Sequence, residues 1–105
     1  MDAVKIEQIG QLKSRFDRIV IDVLGPLRST KQINREAVDA LTALLDELRL
    51  LLADEEYVPR TFVGELWFVF TAMLSEADHA KDPEPILIDA WTVAERLRRI
   101  FGPTW

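Results

Sequence analysis

Four runs of apolar residues recur at helical spacing, and each is closed by a glycine, a proline or a capping residue. This pattern restricts the chain to an all-α fold. In the first run Leu12, Phe16, Ile19, Val20, Val23 and Leu27 share one stripe, which Ile6 and Ile9 extend upstream. The spacing predicts a helix over residues 3–24, stopped by Gly25-Pro26. Ile19-Val20-Ile21 is β-branched and suits a short strand, but the longer 3.6-residue periodicity outweighs it.

Asn34 is a good cap for a second helix over 34–54, whose apolar face is Val38, Leu41, Leu44, Leu45, Leu48, Leu51 and Leu52. Its opposite face carries Arg35, Asp39, Asp46 and Glu47, which read as a solvated stripe. Pro59 suits the first turn of a third helix over 60–79, apolar around well over half its circumference. A fourth helix starts with Asp82 as cap and Pro83 as its first residue. Its stripe runs from Ile86 to Phe101, and Gly102-Pro103 ends it. Short connections favour antiparallel neighbours, so the expected fold is an antiparallel four-helix bundle, up-down-up-down, in one domain over 1–105. Gly25 to Ile33 is the longest expected connection.

Composition removes several classes of function. With 105 residues, 49% of them hydrophobic and 30% charged, the chain can bury one core without covalent staples. It has no cysteine, which excludes disulfides, thiolate metal sites and cysteine nucleophiles. The net charge of −5 argues against nucleic acid, because phosphate neutralisation needs clustered cations. Arg96-Leu97-Arg98-Arg99 is the basic cluster, and it sits where cations complement a helix C-terminus or pair with Glu95 or an acidic neighbour. The longest apolar stretch, Leu66 to Phe70, is far short of the ~20 residues that span a bilayer, so no membrane association is expected. The charged N-terminus does not read as a signal peptide, and the expected location is cytoplasmic.

Apolar residues opposite a core stripe say more than the stripe does. At 100° per residue, Phe68 falls at about 200° from the centre of its stripe, Ile88 at about 180° and Trp91 at about 120°. Ile21 and Leu50 are similarly misplaced. Gly64, Thr71, Ala72, Ser75 and His79 flank Phe68, small residues beside one large aromatic that let another helix approach. Either the third helix is central and buried on all sides, or these residues form a patch that binds a second chain. A symmetric dimer is the simplest such chain. The interface residues expected on this reading are Phe68, Trp91, Ile88, Gly64 and Ala72.

Polar constellations are weaker. Glu76-Ala77-Asp78-His79 has the Glu-x-x-His spacing of carboxylate-bridged metal bundles, but those need a second such motif and His79 is the single histidine. Glu65 lies on the same side as Glu76 but about 16 Å along the helix, too far to share an ion. Ser75, His79 and Asp78 resemble a nucleophile, base and orienter by spacing, without a glycine elbow or oxyanion hole. The tail Ile100 to Trp105 is expected to seal the bundle end. The sequence therefore points to a small non-enzymatic interaction protein without a cofactor. It is expected to form a homodimer and to have the option of a further protein partner. The alternative is a metal-dependent enzyme or ligand-binding bundle that uses Glu65, Glu76 and His79.

Overall fold

In the computed structural model of the chain, which describes residues 1–102, the four stripes become four helices. They are α1 (Ala3–Thr30), α2 (Arg35–Leu52), α3 (Arg60–Asp78) and α4 (Glu84–Phe101). There is no strand among the described residues, and Ile19-Val20-Ile21 lies within α1. Side chains close two of the helix starts, each satisfying one orphan N–H. Asp2 Oδ1 accepts from the Lys5 N–H at 2.8 Å, and Asn34 Oδ1 accepts from the Ala37 N–H at 3.1 Å. The sealing role expected of Trp105 falls outside the described residues.

Two helix boundaries differ from expectation. α1 does not stop at Gly25-Pro26 but runs on to Thr30 with Pro26 inside it. Pro26 has no N–H for the Asp22 carbonyl, yet Asp22 is exposed, so water can serve that acceptor. The reward for continuing is Leu27, which is buried with Val23 and Leu24 in the core. The helix ends instead at Lys31, in the left-handed region at φ 58°, whose N–H donates to the Leu27 carbonyl. At α4, the cap is Pro83 rather than Asp82, and no side chain caps the helix. Prolines at 83 and 85 leave only the Glu84 N–H for a side chain at 82 to reach.

Cross-helix contacts fix which helices are neighbours. α1 packs on α2 and α3, and α4 packs on α2 and α3. α2 and α3 lie across a diagonal, as do α1 and α4. A ring in which every helix touches the next in sequence is therefore not what forms. Seven residues, 53–59, join α2 to α3, and extended they reach about 23 Å, enough to cross the bundle end. Lys5 pairs with Glu55 and Arg15 with Glu47, so α1 and α2 run antiparallel. Lys13 pairs with Glu65 and Lys31 with Glu76, so α1 and α3 run parallel. Arg35 pairs with Asp89 and Arg96 with Asp46, so α2 and α4 also run parallel. Phe70 meets Trp91 while Phe62 and Leu66 share a small apolar cavity with Phe101, which sets α3 and α4 antiparallel.

All four helices feed one core. Val23, Leu41, Leu44, Leu45, Leu48, Val69, Val93 and Leu97 are wholly buried. Each such side chain contributes roughly 1.5–3 kcal/mol through water released on burial. Phe16 and Phe62 meet edge to face at 5.5 Å across the α1–α3 seam. The α3–α4 seam is built differently: no ion pair joins these two helices among the described residues, and Trp67, Phe70 and Trp91 close it.

Candidate functional site

The outer surface of α3 and α4 carries the misplaced apolar residues. Leu66, Val69 and Met73 turn into the core. Val63, Trp67 and Leu74, set about 60–100° to one side, are half-buried on the flank toward α4. Glu65 and Glu76, on the other flank, meet Lys13 and Lys31 of α1. What is left faces solvent: Thr61, Gly64, Phe68, Thr71 and Ser75 are all exposed. α3 is therefore not a central helix buried on all sides. Between Thr61 and Ala77 its only charges are Glu65 and Glu76, both paired with α1, so that stretch of its outer side bears no free charge.

Phe68 is 53% exposed, Trp91 59% and Ile88 60%. Trp91 stands at the rim of the α3–α4 seam with its ring 5.5 Å from that of Phe70, which in turn meets Trp67 edge to face at 6.1 Å. Phe68 follows Trp67 by one residue and so lies about 100° further round α3. An open groove along α4 passes Leu87, Ile88, Trp91 and Thr92, and another continues past Ala94 to Arg98, with the indole as the ridge between them. A Cβ built on Gly64 would meet nothing within 4 Å, so none of the described residues uses the close approach that Gly64 permits. Ala72 is half-buried against the core, on the helix row shared with Glu65 and Glu76. It therefore borders the surface rather than standing on it.

The metal candidates are brought to one side of the bundle but each is engaged elsewhere. Lys31 Nζ lies 2.5 Å from Glu76 Oε2, and this hydrogen bond holds the Glu76 carboxyl below its ordinary range. Lys13 Nζ lies 3.2 Å from Glu65 Oε2 and 3.2 Å from Asp17 Oδ2, and these contacts, Glu65 first, raise the Lys13 ammonium above its ordinary value. His79 turns back along its own helix, with Nδ1 2.8 Å from the Ser75 carbonyl. That contact uses the Ser75 backbone, not its hydroxyl, so no nucleophile–base pair forms there. Among the described residues no three His, Cys, Asp or Glu side chains converge on one point.

Of the charges read as a solvated stripe on α2, Arg35, Asp46 and Glu47 clamp it to neighbouring helices, while Asp39 meets Arg35 of its own helix at 3.6 Å. Arg35 holds Asp89 of α4 with two hydrogen bonds, Nη1–Oδ1 at 2.9 Å and Nη2–Oδ2 at 2.7 Å. Asp89 first, then Asp39, raises the Arg35 guanidinium above its ordinary value. Glu47 takes the same bidentate grip from Arg15, at 3.2 and 2.8 Å, and its carboxyl is lowered in consequence. Asp46 receives Arg96, while Arg98 and Arg99 pair with Glu95. Sequence reasoning passed over Asp89. The signal was present: a cation at the first position of α2 opposes the helix dipole, and an acid at the edge of the α4 stripe needs a partner.

Comparison with protein-family models, with curated proteins and with solved structures finds no match to this chain.

Proposed function

We propose that the chain is a small non-enzymatic interaction protein that self-associates through the outer surface of α3 and α4. The observation that carries this reading is the exposure of Phe68, Ile88 and Trp91 on two adjoining helices, beside an uncharged strip. Aromatic residues are enriched at contact centres, where they exclude water over a large area at small entropic cost. A second copy is the simplest occupant, because symmetric dimers are the commonest oligomers. Each molecule carries −5, and the stretch of α3 around Phe68 without free charge is where two copies meet with least repulsion.

Light scattering on a size-exclusion column, over a concentration series, tests this. A dimer should appear as concentration rises. Phe68→Ala and Trp91→Ala should each weaken it about tenfold or more, with helix content by circular dichroism unchanged. A monomer at every concentration, or a dimer indifferent to both substitutions, would overturn the reading.

A further inference from the structure

We infer that two copies dock with α3 antiparallel to α3, about a two-fold axis beside Phe68, and with Arg60 of each copy against Asp78 of the other. This rests on self-association through the α3–α4 surface, and it adds a geometry.

The first observation is the order of side chains about Phe68 on α3. Exposed Gly64 and half-buried Ala72, at the border of the surface, stand four residues to either side of it, and exposed Thr61 and Ser75 stand seven to either side. A two-fold axis reverses one helix on the other, so position i of one copy meets its mirror position about Phe68 in the second. Gly64 then faces Ala72 and Thr61 faces Ser75, in both directions. Small residues admit the ring of Phe68 at the centre, and hydroxyls lie toward the rim. Trp91 has its ring 5.5 Å from that of Phe70, which follows Phe68 by two residues, so the aromatic of α4 flanks the same stretch of α3 in both copies.

The second observation is independent and concerns charge. Arg60 is the first residue of α3 and Asp78 the last, and both are exposed. Neither has an ion-pair partner among the described residues. Each sits at the wrong end of the helix dipole, a cation at the positive end and an anion at the negative end. Within one molecule that placement is unfavourable twice over. In an antiparallel pair it reverses: a register centred on Phe68 brings Arg60 within two residues of the level of the second copy's Asp78, twice per dimer. The dipoles of the two α3 helices oppose as well.

Area sets the strength. α3 and α4 are each about 27 Å long and about 10 Å wide, roughly 550 Å² per copy, below the roughly 800 Å² of a standard interface. That extent places the proposed dimer among small, reversible interfaces.

Charge exchange tests the geometry. Arg60→Asp alone places two acids together at both ends of the dimer, and Asp78→Arg alone places two cations there. Both changes favour the α3 dipole, so neither should unfold the helix. In analytical ultracentrifugation each variant alone should associate at least tenfold more weakly than the parent. Mixed in equal amounts they should form a heterodimer of near-parental affinity, because Asp then meets Arg at both ends. If the parent dimerises but the variants are neutral, or the mixture does not recover, the antiparallel geometry is wrong and self-association stands. If the parent stays monomeric at every concentration, both are wrong.

Discussion

Asp89 is the one acidic side chain buried among the described residues, at 5% exposure, and Arg35 closes both of its oxygens. The two partners are unequal, because the Arg35 side chain remains 57% exposed. Arg35→Ala leaves a buried carboxylate without a donor and should cost about 1–3 kcal/mol in urea unfolding. Asp89→Ala should cost less, since the freed guanidinium can turn to water. The double substitution should be no worse than Arg35→Ala alone. A loss below about 0.5 kcal/mol for Arg35→Ala would show that the clamp adds nothing to stability. At this scale the sequence was only half legible. Helical spacing placed Phe68, Ile88 and Trp91 outside the core, because exposure follows from position on the wheel. It did not reveal that Arg35, Asp46 and Glu47 bridge helices, because spacing describes one helix and those partners belong to others.

α1 shows where a local rule loses to packing. Gly25-Pro26 reads as a stop, yet burial of Leu27 beside Val23 and Leu24 draws the chain on for another turn. Hydroxyls of Ser29 and Thr30 fold back onto the Gly25 and Pro26 carbonyls in that turn. Pro26→Ala restores the missing donor to the Asp22 carbonyl. It should raise stability by about 1–2 kcal/mol, the helical gain outweighing the larger unfolded-state entropy of alanine. A fall in the urea midpoint would mean that the pyrrolidine ring's packing is worth more than the hydrogen bond. The α2 and α3 boundaries, by contrast, fell within two residues of expectation, because Asn34 and Pro59 are strong local signals with no tertiary competitor. α4 starts one residue later than the Asp82-Pro83 pair implies, because Pro85 removes an N–H that a cap at 82 would need.

The whole molecule is two helical hairpins, α1–α2 and α3–α4, set side by side and joined across a diagonal. Helix number and type were legible from periodicity. Neighbour order was not, because it depends on charges that find partners only once the helices meet. Parallel neighbours such as α1 and α3 align their dipoles unfavourably, and two ion pairs per parallel seam offset this. One end of the bundle gathers three parts of the chain. The Met1 amino group lies 4.0 Å from Glu55 Oε2, and Phe101 borders the same cavity as Val58 and Pro59. A gene rearranged to encode α3–α4 before α1–α2, with the 53–59 crossing cut and a glycine–serine join long enough to cross the α4–α1 diagonal, would keep every seam of the bundle. Such a permutant should unfold in one cooperative step near the parent's urea midpoint. Two separate transitions would show that the crossing peptide itself couples the hairpins. With one transition, the coupling between the hairpins lies in their packed seams, and the order in which the chain visits them is free to change.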